Sequence, residues 1–164
     1  MNSARTALEL AIQASPHDPA ACVFRSVSRL ARVVAGVYDR AFAPLGLTAT
    51  QFNVLMTLSR KGALSIGDLA DQLSADGSTI PRLLAPLADA GLIRIARGTD
   101  RRVRMVDVTA RGCARLRAAL PGWRAVQAEL VGRLDAPDWR SLQQSLRTLR
   151  RAAQNTAAWG KEEP

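Results

Sequence analysis

Apolar residues recur at helical intervals along most of the chain. Val23, Val27, Leu30, Val34, Val37 and Ala41 are spaced 4, 3, 4, 3, 4. This narrow, heptad-like seam predicts a long helix with Arg25, Ser28, Arg29, Arg32, Asp39 and Arg40 lying between the seam positions. Pro44-Leu45-Gly46 should end it. Thr48-Ala49-Thr50-Gln51 has the form of a capping box, in which the Thr48 hydroxyl accepts the Gln51 N–H and the Gln51 side chain reaches back. Leu47 and Phe52 occupy the staple positions, and a second helix should run to about Arg60, ended by Lys61-Gly62. A third opens at Ser65-Ile66-Gly67-Asp68 with Ile66, Leu69, Ala70 and Leu73 on one face. After a short turn at Ser74-Ala75-Asp76-Gly77, a fourth helix is expected from Ser78, with Ile80, Leu83, Leu84 and Leu87 inward. Pro81 argues for that start, because proline is tolerated only in a first turn. Gly91 ends the helix.

The pattern then changes. Leu92-Ile93-Arg94-Ile95 and Val103 to Val108 alternate or run β-branched around Arg97-Gly98-Thr99-Asp100, which predicts a β-hairpin with a basic tip. Thr109 caps a further helix, with Val108 and Cys113 as its staple pair. Its stripe is Leu116, Leu120, Trp123, Gln127, Leu130 and Leu134, with a bend expected at Pro121-Gly122. Asp135 caps a last helix carrying Trp139, Leu142, Leu146, Leu149 and Ala153. Residues 1–19 show little pattern and predict a flexible arm with a helical turn or two. Residues 157–164 read as a flexible tail.

Three helices followed by a basic hairpin is the order of a winged helix-turn-helix. The fold expected is mostly α with a small β-hairpin wing (α+β). Residues 47–108 form its DNA-binding domain, and residues 20–46 and 109–156 supply dimerisation helices. The two heptad-like seams pair either within one chain or between two copies, and a homodimer is expected. The second helix of the two-helix unit enters the major groove. With its core face fixed, Ser78, Thr79, Arg82 and Ala85 are left for DNA. Ser and Thr suit phosphates or adaptable base contacts, and Arg suits guanine.

Charge sharpens this reading. The formal net charge is +9, with 23 basic and 14 acidic residues, which points to a polyanionic partner. From Arg94 to Arg104 there are five arginines and one aspartate, net +4. Such a wing can set an arginine in a narrow minor groove. Arg97, Arg101 and Arg102 are the wing contacts expected, with Asp100 orienting Arg102. The partner is therefore double-stranded DNA.

As a set, Leu45-Gly46-Leu47-Thr48-x-x-Gln51-Phe52-x-Val54-Leu55, Leu64-Ser65-x-x-x-Leu69-Ala70, Ser78-Thr79-Ile80-x-Arg82-x-Leu84, Gly91-Leu92-Ile93, Asp100-Arg101-Arg102 and Val108-Thr109-x-x-Gly112 resemble the MarR (multiple antibiotic resistance regulator) family over residues 20–155. The resemblance implies a homodimeric regulator, usually a repressor on a pseudo-palindromic operator, released by a small-molecule effector or an oxidant. It also implies an effector pocket between the dimer helices and the DNA-binding lobe, for which Tyr38, Phe42 and Phe52 are the candidate lining. Peroxide-sensing relatives carry a reactive thiol near the position of Cys22. A redox-sensing repressor acting through Cys22 is therefore one alternative, and a winged-helix protein-interaction module without DNA binding is another.

Other classes recede. Two separated cysteines make no disulfide framework. The only histidine, His17, lies in the arm, and no triad, zinc site or phosphate loop is visible, so neither an enzyme nor a cofactor is expected. Nothing resembles a signal peptide. The longest uncharged stretch, Ala41 to Ser59, contains Pro44, Gly46, Gln51 and Asn53, so no membrane partner and a cytoplasmic location are expected.

Overall fold

Local capping chemistry sets most element boundaries in the computed structural model, which describes residues 3–13, 22–98, 100, 102–134 and 136–156. The elements are α1 (Ser3–Gln13), α2 (Val23–Phe42), a 3-10 turn (Ala43–Leu45), α3 (Ala49–Lys61), β1 (Leu64–Ser65), α4 (Ile66–Leu73), α5 (Ile80–Asp89), β2 (Ile93–Arg97), β3 (Arg104–Val108), α6 (Ala110–Gly132) and α7 (Ala136–Thr156). The fold is mostly helical with one antiparallel sheet in the order β1-β3-β2. Two units divide the chain at residues 1–119 and 120–164. No helix among the described residues is long and apolar enough to cross a membrane.

In the first unit, α2 ends where the Pro44 turn begins, and Gly46 takes a left-handed φ of +62° to release the chain into α3. Both arms of the α3 capping box are made. Thr48 Oγ1 accepts the Gln51 N–H at 3.2 Å, and Gln51 Oε1 accepts the Thr48 N–H at 2.9 Å. Asp39 of α2 adds a third acceptor, taking the Ala49 N–H at 2.6 Å. Phe42, Leu55, Leu58, Leu69, Ile80, Leu84, Leu87 and Val106 form the fully buried centre. At the far end of α5, Gly91 adopts φ +66°. Its N–H bonds to Ala88 O while the Leu92 N–H bonds to Leu87 O, a Schellman ending that turns the chain into β2. Thr109 accepts the Gly112 N–H and donates to Gly91 O, tying the start of α6 to that same corner.

Three expectations are corrected. Residues 3–13 form an eleven-residue helix where a turn or two was expected, with Arg5 and Glu9 paired at 3.2 Å. The sheet has a third strand, since Leu64 and Ser65 pair with Val106 and Met105. The fourth helix starts at Ile80 rather than Ser78, because Pro81 has no N–H to bond back to Gly77 and so sits in the first turn, and the Leu83 N–H bonds to Thr79 O at 3.2 Å. Residues 77–79 are a turn, closed by the Thr79 N–H on Asp76 O at 2.8 Å. On α6 the buried positions are Gly112, Leu116, Ala119 and Val126. Of the larger stripe residues, Leu120, Trp123 and Leu130 are half-buried and Leu134 is exposed.

In the second unit, α6 continues through Pro121 to Gly132 and α7 follows. Trp139, Leu142 and Leu149 are half-buried and Leu146 is exposed. The cap expected at Asp135, the segment with His17, and the tail 157–164 lie outside the described residues.

Candidate nucleic-acid interface

The two-helix unit is fixed from its first residue. Ser65 caps α4, its Oγ accepting the Asp68 N–H at 3.0 Å and donating to Asp68 Oδ2 at 2.7 Å. Ser74 ends α4 in a left-handed conformation, φ +50°, the only non-glycine with positive φ among the described residues. That bend presents α5. Ile80, Leu84 and Leu87 are buried, so the opposite face holds Pro81, Arg82, Ala85, Pro86 and Asp89, all exposed. Ser78 and Thr79 are exposed on the preceding turn rather than on the helix, and Thr79 makes no side-chain cap. Of the three contacts expected on the recognition helix, Arg82 alone lies within it.

The wing is β2 and β3, in register from Ile93↔Val108 to Arg97↔Arg104. Partners across a ladder share a face, so Ile93, Ile95, Val106 and Val108 align with Arg97 and Arg104 at the tip. Arg97 and Arg104 stand directly opposite each other, an arrangement that disfavours the free hairpin. Together with Arg102 they line a cleft of about 470 Å³ over Ile95 and Ala96. Arg102 and Arg104 also border the start of α4 at Ser65, Ile66 and Gly67. Among the described residues no carboxylate lies within ion-pair distance of Arg82, Arg97, Arg102 or Arg104. Arg94 differs: it pairs with Asp107 at 2.9 Å on the other face of the sheet.

Asp100 acts on the tip through the main chain. Its Oδ1 accepts the Arg102 backbone N–H at 2.9 Å, and its carbonyl accepts the Val103 N–H at 2.9 Å. Arg101 lies outside the described residues. Arg104 was not among the residues picked from sequence. Its signal is the strand register, which puts it opposite Arg97.

The remaining candidates lie elsewhere in the first unit. Phe42 and Phe52 stack at 4.5 Å and are buried in the first unit. Tyr38 packs on Phe42 at 5.9 Å and stays half-buried, and burial raises its pKa above 10.0. Cys22 is an exposed free thiol immediately before α2.

A model of the MarR family matches residues 47–103, the stretch from the α3 cap to the wing tip. An HTH-type transcriptional repressor of Mycobacterium tuberculosis is 34% identical over 122 residues, covering 74% of this chain and 88% of the relative. The transcriptional regulator HosA of Escherichia coli is 30% identical over 104 residues, covering 63% of this chain and 77% of the relative. Among solved structures, the M. tuberculosis transcriptional regulator MosR in complex with DNA is similar. Its TM-score is 0.75 at 34% identity, over 82% of this chain and 97% of that one.

Proposed function

This chain belongs to the MarR family of DNA-binding transcriptional regulators, and we propose that it acts as a homodimeric repressor on a pseudo-palindromic operator. Its relatives are regulators of transcription rather than enzymes. The observation that carries the proposal is the exposed arginine set, Arg82 on α5 and Arg97, Arg102 and Arg104 on the wing, with no carboxylate partner among the described residues. Arg82 would read a guanine edge in the major groove, and the wing arginines would meet the minor groove and its phosphates. Ser78 and Thr79, exposed on the turn, would meet phosphates rather than bases.

The dimer has its own support. Val23, Phe24, Val27, Leu30 and Val33 are exposed along α2, and Phe24 is 79% exposed. A contiguous apolar helix face of this kind is characteristic of an interaction surface. In this proposal residues 20–46 and 109–156 join the two copies and residues 47–108 bind DNA, with half-sites about 10 bp apart or a multiple of that. The repressor role draws on the M. tuberculosis relative, named a repressor. Release by a small effector rests on family membership; of its candidate lining, Phe42 and Phe52 are buried and Tyr38 is half-buried.

Two measurements test this. Sedimentation of wild type should give a dimer, and Leu30→Glu should give a monomer that binds duplex DNA poorly. Arg102→Ala should weaken DNA binding more than any other single arginine change. A monomeric wild type, or an Arg102→Ala protein that binds as wild type does, refutes the corresponding half.

A further inference from the structure

The outward face of α5 is unusual for a groove-reading helix because most of it cannot form hydrogen bonds. Pro81, Arg82, Ala85 and Pro86 occupy one side, opposite the buried Ile80, Leu84 and Leu87. Three of the four side chains are apolar. Pro81 and Pro86 also lack a backbone N–H, so neither can donate to a base or a phosphate. Asp89, one turn further along the same face, repels phosphate, so close contact is confined to the first two turns. In the major groove the apolar group on a base edge is the thymine C5-methyl, and guanine presents the paired acceptors that suit an arginine.

We infer that this recognition helix selects half-sites in which a guanine, read by Arg82, is flanked by thymines whose methyl groups pack on Pro81, Ala85 and Pro86. The inference rests on the DNA-binding reading above and adds the base composition that the helix accepts. Discrimination by this face comes from shape and desolvation, with one hydrogen-bonding side chain. Each methyl group buried against it is worth about fourfold in affinity.

The test uses the full-length protein and a library of duplexes with a randomised central segment. Retained sequences should share half-sites with a guanine and one or more neighbouring thymines. Replacing those thymines with uracil in the best duplex removes only the methyl groups. It should weaken binding about fourfold per position, whereas the same exchange outside the half-sites should change nothing. Arg82→Ala should lose the guanine preference while keeping the response to uracil. If uracil is neutral throughout a selected duplex, the thymine contacts are refuted and the DNA-binding reading stands. If nothing is enriched from the library, both fail.

Discussion

Gly112→Ala tests the corner that joins recognition helix, wing and α6. A Cβ at residue 112 would lie 2.0 Å from the Leu92 carbonyl oxygen, 2.8 Å from Val108 Cγ2 and 3.0 Å from the Leu92 carbonyl carbon. These are mostly backbone atoms, so no rotamer change relieves the clash. The start of α6 must move from β2 by about 1 Å or more, an overpacking cost of about 1–3 kcal/mol. The same Leu92 oxygen accepts the Thr109 N–H at 3.0 Å and the Thr109 hydroxyl at 3.2 Å. Pulling the corner apart weakens both bonds, at about 0.5–1.5 kcal/mol each. Helix propensity returns about 1 kcal/mol for alanine over glycine. The net expectation is a loss of about 3 kcal/mol, lowering Tm by about 6–12 °C for a chain of this size. Urea unfolding followed by circular dichroism reads it directly. Gly132→Ala, with nothing within 4 Å of its added Cβ, is the control and should stay within about 1 kcal/mol of wild type. Equal stability of the two variants would refute the close approach at Leu92.

Three further outcomes are expected. Thr48→Ala should cost about 1 kcal/mol by removing the acceptor for the Gln51 N–H, and a thermal shift that matches wild type would contradict the capping role. Ser74→Gly should stabilise by about 0.5–1 kcal/mol, since Ser74 holds φ +50° and glycine carries no penalty there. A destabilised variant in the same urea assay would count against it. Burial raises the pKa of Tyr38, so the unfolded chain releases the phenol proton first. Its contribution to stability is complete below pH 10, declines as pH rises above 10 and is lost through the folded-state pKa. Tyr38 is the chain's single tyrosine, so phenolate absorbance reports it alone, and a midpoint at or below 10.0 would contradict the burial.

How much of this was legible in the sequence depends on how local each signal was. The Thr48-x-x-Gln51 box and the Gly91 ending are written within a few residues, and both form as read. The narrow seam of α2 announced a long helix, and its first three members, Val23, Val27 and Leu30, are exposed. Ser78 and Thr79 were misplaced because inward apolar spacing locates a helix but not its first residue. That was set by Pro81, which has no N–H to bond back to Gly77 and so belongs to the first turn. β1 is two residues long and exists only through pairing with Val106 and Met105, so no local period could reveal it. Arg104 required the strand register. Phe42 and Phe52 show the opposite difficulty, since an aromatic stripe fits a pocket or a core equally well, and the structure adds that the two rings are buried and stack at 4.5 Å. Gly112 was noticed as part of a resemblance, and its reason is physical: the backbone of Leu92 leaves no room for a side chain.

The most direct test of the central claim is fluorescence anisotropy with duplex DNA from the protein's own upstream region, titrated with salt beside a scrambled duplex. If Arg97, Arg102 and Arg104 of both copies neutralise phosphates, log K against log salt should fall with a slope steeper than about −5. The triple alanine variant should flatten that slope, and the upstream duplex should bind more tightly than the scrambled one. A nearly flat salt response on both duplexes, unchanged in the triple variant, would contradict the account and leave the basic wing to an acidic protein partner.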